Sequence, residues 1–437
     1  MALQRPRGTR DFGPKETAER QRVATQMRNT FRRFGFQEVQ TPTFEELDLF
    51  TAKSGEGIVS ELYDFTDKGG RHLTLRPELT APTMRFYYNE LTMEPKPLKL
   101  FYHANCFRYD RPQKGRYREF WQMGCELVGP DTPEAAAEVV ALGVTLLRDT
   151  GLERLDVRIG HIGVLRGVLR HLGHPSADGR GGLMRAIDKW DEKAIRDGLA
   201  EGGVDASDID WFLSLRDIRD LDGLSSALAR AEEATEALTQ LRDVVRLAEA
   251  FGVPPDIIQI DPMIARGLDY YTGIVFEMDA PALGAEKQLL GGGAYDLSSV
   301  FGGEPVATLG FGLGFDRTLV ALDAEGKRPE ARLGIDVYVA PIGDAPRERA
   351  VLLTTGLRRA GLIAEVDLMR RNPGKNLKAA DTRGARYAIL LGAREVESGQ
   401  VGIKDLASGD QVDVPLDRVV EWLTERLVPG PAAEVPA

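Results

Sequence analysis

Two long alternating runs in the first third of the chain constrain the fold more than any other feature. LKLFYHANCFRYD (98–110) and REFWQMGCELVG (118–129) each read as a β-strand, and RPQKGRY between them is a loop. Strands joined by so short a connection pair antiparallel. Side chains alternate faces along each strand. Trp121, Met123, Cys125 and Leu127 therefore share an apolar face that packs inward. Gln122, Gly124 and Glu126 share the other face, turned to a cavity or to solvent. Gly124, between two polar side chains, leaves room for a ligand lying on the sheet. Pleating puts Cys106 on the face of Arg108, with Cys125 opposite Gln122 and Glu126, so no Cys106–Cys125 disulfide is expected.

The same hairpin concentrates charge. Arg108, Arg111, Lys114, Arg116 and Arg118 fall within a dozen positions, although the 437-residue chain carries a net charge of −11. A guanidinium offers a planar fork of donors suited to phosphate oxygens. A basic loop containing a glycine can cover a triphosphate or grip a nucleic-acid backbone. Pattern alone leaves both open, together with a plain solvated loop.

Composition excludes several classes. No apolar run is long enough to span a bilayer, and MALQRPRGTRDFGP contains no apolar signal core, so no membrane association and a cytoplasmic location are expected. Two cysteines do not make a disulfide framework. The histidines are scattered; His171 and His174 share a helix face without a third ligand, so no protein-held metal is expected.

Periodicity divides the rest of the chain. Residues 17–35 form an amphipathic helix ending at Gly35. FQEVQTPTFEELDLF comes next as an alternating strand with Pro42 at its end, and YDFTDKGGRHLTLRPEL is a hairpin around Gly-Gly. Residues 134–150 form a helix. A helical insertion covers about 170–255, rich in Ala, Leu, Asp, Glu and Arg. Strand-like segments return at 256–278, then GGGAYD (291–296), and TLGFGLGFDRTLVAL (308–322) runs from strand into helix. A polar linker near 324–334 separates a domain of 1–330 from a small α/β domain of 331–427, where strands alternate with helices. Residues 428–437 are a disordered tail.

These segments together resemble a known family. FRYDRPQKGRYREF is similar to motif 2 of the class II aminoacyl-tRNA synthetases, and within that class to histidyl-tRNA synthetase. RGTRDFGP (7–14) resembles the family's N-terminal signature, FGFQEVQTPTFEELDLF (34–50) motif 1, and LRPELTA (75–81) its LRPE-x-T segment. ARGLDYYTGIVFE (265–277) resembles the histidine-binding signature, GFGLGFDR (310–317) motif 3, and LKAADTRGARYAILLG the C-terminal anticodon-binding domain. The resemblance implies an antiparallel sheet flanked by helices, a helical insertion, and a small α/β anticodon-binding domain. It implies activation of L-histidine with ATP and Mg²⁺, then transfer of histidyl to the 3′ end of histidine tRNA, in a homodimer.

Carried over by position, the resemblance assigns roles. Arg108 holds the α-phosphate, while Arg116 and Arg317 bind the tail of ATP. Phe120 stacks on adenine and Asp110 reaches its amino group. Glu78, Thr80 and Gln122 receive the α-ammonium of histidine. Arg266 neutralises the substrate carboxylate or the α-phosphate. Glu126 and Tyr271 hydrogen-bond the imidazole, and Tyr270 closes the pocket. Arg111 and Gln113 meet the extra 5′ guanosine of histidine tRNA. Some positions depart from the family pattern: Asp110 and Asp316 stand where Glu is usual, Trp121 where His is frequent, and Ala294 where many members have Arg. Two rivals remain: a regulatory paralogue serving ATP phosphoribosyltransferase, and a class II synthetase for another amino acid. The intact C-terminal domain and histidine signature argue against the first, and Glu126 with ARGLDYYTG against the second. Within 344–394, nine Arg and two Lys face three Asp and two Glu, a net +6 hidden by the global acidity. Contact of the insertion with the acceptor arm is a further expectation, tested by protection of the tRNA from cleavage.

Overall fold

The computed structural model describes residues 3–54, 56–111, 117–178, 182–264, 271–331 and 333–427. The expected tail, 428–437, lies outside them. The chain divides into two compact units, Met1–Phe12 with Glu19–Pro329, and Gly13–Ala18 with Glu330–Ala437.

The first unit is organised by an eight-stranded sheet. Its spatial order is Gln37–Glu38, Leu98–Phe107, Glu119–Val128, Thr308–Gly314, Gln288–Tyr295, Tyr271–Asp279, Asp156–His161, Ile258–Ile260. The two outermost pairings are parallel and the rest antiparallel. The expected hairpin lies within it, with Phe101 opposite Cys125 and Cys106 opposite Phe120. Met123, Cys125 and Leu127 enter the main core, as the alternation requires, and Trp121 packs against it. Cys106 lies on the other face, donating its thiol to Gln122 Oε1 at 3.4 Å, and both cysteines are free.

Two helices cover the inward face. Pro14–Arg33 buries Val23, Met27, Thr30 and Phe31, spaced three and four apart on one stripe. Phe31 stacks on Phe101 at 4.5 Å between centroids. Pro133–Asp149 starts where Thr132 Oγ1 accepts from the Ala135 N–H at 3.3 Å, with Pro133 in the first turn. Gly143 lets this helix approach the sheet: a Cβ there would sit 2.6 Å from Met278 Cε. Burying each large apolar side chain contributes about 1.5–3 kcal/mol.

The helical insertion grows directly from the sheet. Strand Asp156–His161 runs straight into helix Ile162–His171. His161 Nδ1 caps that helix by accepting from the Gly163 N–H at 3.0 Å, and Nε2 pairs with Gln240 Oε1 at 2.9 Å. Burial pushes this imidazole below its usual pKa, consistent with a neutral ring acting as cap acceptor. Leu183, Ile195, Leu199, Phe212 and Leu241 belong to the same continuous core as the sheet residues Phe276 and Phe311.

One local expectation differs from the structure, and one strand was not read from the sequence. The alternating segment 36–50 does not form one strand: Gln37–Glu38 joins the large sheet, Phe44–Glu46 joins a separate three-stranded sheet, and Asp48–Ser54 is helical. Pro42 supplies no N–H and breaks the pairing. Strand Asp156–His161 escaped the periodicity reading because Gly160 and His161 interrupt its apolar pattern.

The second unit holds a five-stranded sheet ordered Ala364–Val366, Val337–Pro341, Tyr387–Leu391, Gln400–Asp405, Gln411–Pro415. The first three strands are parallel, as helical crossovers require, and the last two antiparallel.

Candidate functional site

A cleft of about 600 Å³ opens on the outward face of the large sheet. Its floor is largely backbone. Gly312 pairs with Gly124 on one side and Gly291 on the other, and Gly291 pairs with Glu277. A Cβ at Gly312 would point into open space, so a ligand can approach the strand closely. Of the residues expected from the sequence, Arg108, Asp110, Phe120, Gln122, Tyr271 and Arg317 line this cleft.

Each arginine is pre-oriented. Arg108 Nε donates to Pro77 O at 3.0 Å, and its guanidinium lies 5.4 Å from the Phe120 ring centroid. The neighbouring Arg76 bolts the LRPE segment to the hairpin, donating to Asn105 O at 2.9 Å and Thr41 O at 2.8 Å. Arg317 leads helix Phe315–Ala324, and its guanidinium donates to Gln288 O at 3.1 Å and Glu286 Oε2 at 2.7 Å. Beside it, Asp316 is a hub. Its Oδ1 accepts from Arg10 at 2.6 Å and Arg20 at 2.7 Å, and its Oδ2 accepts from the Trp121 N–H at 2.7 Å. The N-terminal signature, motif 2 and motif 3 thus meet at one carboxylate.

Glu78, Thr80 and Glu126 are not on the described cleft wall. They form an adjoining cluster. The Glu78 carboxylate accepts from the Thr80 N–H at 2.7 Å and the Ala81 N–H at 3.1 Å, at the start of helix Thr80–Phe86. Thr80 Oγ1 lies 3.3 Å from the Tyr102 hydroxyl. Glu126 is fully buried: Oε1 accepts from Tyr102 at 3.0 Å and Oε2 from Tyr295 at 2.5 Å. One expectation is corrected here. The space beside Gly124 is taken by the protein itself, since a Cβ there would lie 2.6 Å from the Tyr102 hydroxyl and 2.3 Å from Phe311 O. The glycine makes room for Tyr102 rather than for a ligand.

Both thiols are buried and free, an environment that disfavours the reactive thiolate. Burial pushes Cys106 up to about 12, against the opposing pull of Arg76, and pushes Cys125 well above its usual range.

Gln113, Arg116, Arg266 and Tyr270 lie outside the described residues. Arg111 is exposed and away from the cleft wall. Sequence reasoning missed a charged group on the far side of the cleft. Arg158 donates to Asp279 at 3.2 Å and Asp261 at 3.3 Å and pairs with Glu277, while Lys287 lies 3.2 Å from Asp279. No motif marks these residues; only strand register brings them together. Tyr102 and Tyr295 were also missed, although register places Tyr102 opposite Gly124. Among the described residues, no three His, Cys, Asp or Glu side chains converge as a metal site.

Comparison with known proteins agrees with this geometry. A family model described as histidyl-tRNA synthetase matches residues 8–318, and one described as anticodon binding domain matches 336–426. A histidine–tRNA ligase from Archaeoglobus fulgidus is 45% identical over 95% of this chain and 98% of its own length. One from Methanosarcina acetivorans is 44% identical over 97% and 99%. The crystal structure of apo histidyl-tRNA synthetase from S. aureus superposes with a TM-score of 0.76 at 29% identity, covering 97% of this chain and 100% of that one. The arginine-lined cleft, the motif order and these matches lead to one conclusion: the chain belongs to the histidyl-tRNA synthetase family, the histidine–tRNA ligases.

Proposed function

We propose that the glycine-floored cleft holds ATP while the adjoining Glu126 cluster selects histidine. The ligase reaction has two steps. The histidine carboxylate attacks the α-phosphorus and pyrophosphate leaves; the terminal ribose hydroxyl of tRNA then attacks the histidyl carbonyl and AMP leaves. No protein nucleophile is needed, so the protein acts by positioning and charge stabilisation. Arg108 meets the α-phosphate, Phe120 the adenine with Asp110 near its amino group, and Arg317 with Arg116 the phosphate tail. Glu78, Thr80 and Gln122 receive the α-ammonium, and Arg266 the carboxylate or α-phosphate. Glu126 and Tyr271 take the two imidazole nitrogens, with Tyr270 closing the pocket. The observation that carries this reading is one fully buried carboxylate, Glu126, beside a cleft lined by arginines. A neutral imidazole offers one donor and one acceptor, and a pocket built for both rejects other side chains by leaving buried groups unpaired.

Mg²⁺ would arrive with ATP and neutralise charge on its phosphates. Glu277 and Asp279 fit it: both line the cleft, and Asp279 Oδ1 is buried without a hydrogen-bond partner.

The C-terminal unit is the proposed anticodon reader. Its +6 stretch favours a phosphate backbone. Leu368 and Met369 stand exposed beside Arg370 and Arg371, a combination suited to unstacked bases. The insertion, 170–255, has eleven Asp and six Glu against nine Arg and two Lys, a net −6 that supplies no such attraction. A homodimer through motif 1 is supported by the three-stranded sheet, where Phe44 and Phe65 are 53% and 42% exposed. No described helix is long and apolar enough to cross a membrane, and we place the enzyme in the cytoplasm.

The test is charging of histidine tRNA with and without its extra 5′ guanosine, using labelled histidine, ATP and Mg²⁺. Charging only of the tRNA that carries it supports the role of Arg111 and Gln113. Equal charging removes that role. Histidine binding without charging of either would favour the regulatory reading.

Glu286 occupies the guanidinium that the ATP tail needs, at 2.7 Å from Arg317. The pair is half-exposed, so breaking it costs about 0.2–1 kcal/mol. Glu286→Gln is therefore expected to lower the KM for ATP by about 1.5- to 5-fold. An unchanged or raised KM in pyrophosphate exchange would remove Arg317 from the ATP tail.

A further inference from the structure

The far side of the cleft carries charges that no motif marks, and three consecutive residues hold them. Glu286, Lys287 and Gln288 stand where a short helical turn, Pro281–Glu286, enters strand Gln288–Tyr295. Glu286 pairs with Arg317 at 2.7 Å, Lys287 pairs with Asp279 at 3.2 Å, and Gln288 Nε2 donates to Glu277 Oε1 at 2.8 Å. All six line the cleft.

The two cations on Asp279 differ in kind. Arg158 donates to Asp279 Oδ2 at 3.2 Å and to Asp261 at 3.3 Å, and it pairs with Glu277. Burial opposes its charge, but Glu277, Asp279 and Asp261 together outweigh burial and raise its pKa. Arg158 is thus a fixed cation. Lys287 pairs with Asp279 alone among the described residues, and its side chain is 45% exposed. Its backbone is anchored, since Lys287 O accepts from the Ala280 N–H at 2.8 Å. Only the flexible stem needs to turn for the ammonium to leave.

Building on the reading of this cleft as the ATP site, we propose that Lys287 is a mobile counter-ion: it holds Asp279 in the free enzyme, yields it to the Mg²⁺ that accompanies ATP, and binds the triphosphate tail in exchange. Charge balance favours the exchange. One guanidinium against the three carboxylates leaves two negative charges, the match for one divalent cation, and Lys287 cancels half of that match. An ammonium and a divalent cation on one carboxylate repel each other. Arg158 is held by three partners, so Lys287 is the cation that departs. Asp279 suits the arriving ion: its side chain is fully buried, and its Oδ1 has no hydrogen-bond partner. Arg317 rests on the same segment, donating to Gln288 O at 3.1 Å, so a phosphate tail held by Arg317 lies beside residue 287. In the free enzyme, Glu286 on Arg317 and Lys287 on Asp279 therefore stand in for the two charges of metal–ATP, the negative tail and the positive ion.

The test is equilibrium binding to the full-length Lys287→Met enzyme. Without ATP, removing the resident ammonium should tighten Mn²⁺ binding about fivefold, followed by loss of the free-ion spin-resonance signal. With Mg²⁺ present, calorimetry should show ATP binding weakened about tenfold, as for loss of a contact between charged groups. AMP, which lacks the β- and γ-phosphates, should bind as before; a general field effect would weaken it too. Asp279→Asn frees the ammonium instead of removing it, and serves if the methionine variant folds poorly. ATP in EDTA should bind that variant about fivefold more tightly than the unaltered enzyme. Unchanged or weaker Mn²⁺ binding by Lys287→Met, or equal losses for ATP and AMP, would overturn the exchange, as would unchanged metal-free ATP binding by Asp279→Asn. Arg317→Ala separates the two levels. Normal ATP binding there means that the tail does not lie in this cleft, and the ATP reading itself falls. Weakened binding there alongside normal binding by Lys287→Met overturns only the counter-ion.

Discussion

Replacing Arg108 with alanine should lower histidine-dependent pyrophosphate exchange by about 10²–10³-fold, the usual loss when a preorganised donor to a developing charge is removed. The guanidinium is already aimed before substrate arrives. The Pro77 carbonyl holds Nε at 3.0 Å, and the Phe120 ring centroid lies 5.4 Å from the guanidinium. On the proposed reading, the remaining N–H groups would meet the α-phosphate, on which charge builds as the histidine carboxylate attacks. Arg108→Lys should recover only part of the loss, because an ammonium keeps the charge and forfeits the fork. Thermal unfolding should change little, since Arg108 is half-buried and makes one neutral hydrogen bond among the described contacts, worth about 1 kcal/mol. Exchange within tenfold of normal in the alanine variant would remove Arg108 from the transition state.

Asp316→Ala should destabilise the first unit strongly, by about 3–5 kcal/mol, the range for breaking a buried ion pair from one side. Asp316 is 4% exposed and serves Arg10, Arg20 and the Trp121 N–H at once. Arg20 is itself 7% exposed and lies over the rings of Phe12 and Phe315, so it has no route to solvent when the carboxylate goes. Asp316→Asn keeps an acceptor for Trp121 and should cost less. Thermal unfolding monitored on the full chain checks the order. Because Trp121 sits between Phe120 and Gln122, and Asp316 precedes Arg317, activity should fall in the same order at temperatures where the variants remain folded. An alanine variant as stable as the unaltered enzyme would show that Arg10 and Arg20 find other partners.

The departure of Asp316 from the family's usual Glu thus has a physical setting. With three donors at 2.6–2.7 Å, the shorter side chain fits a closely drawn set of partners. Trp121, the departure beside it, lies 5.0 Å from the His103 ring, centroid to centroid. Burial, with Arg28 and Arg20 nearby, lowers that imidazole to about 3. Nothing in the structure explains the Ala294 departure beyond its packing against the core.

The sequence by itself determined whatever the geometry of consecutive residues fixes. Alternation along 98–110 and 118–129 assigned each side chain of the hairpin to a face, because successive Cβ atoms in a strand point oppositely whatever the strand later pairs with. It separated Cys106 from Cys125 and put Gln122 with Glu126. The motifs, read as a resemblance, placed Arg108, Phe120, Gln122, Tyr271 and Arg317 on one cleft. Tertiary structure alone decided the partners. Asp316 and Arg10 are 306 residues apart, and Tyr295 and Glu126 are 169 apart. Arg158 and Glu277 meet only because two distant strands settle in one register. Such pairings depend on how strands order themselves across the sheet, and no local periodicity encodes that order. For the same reason Gly124 could be read from the chain as space, while only the folded sheet shows that Tyr102 fills it.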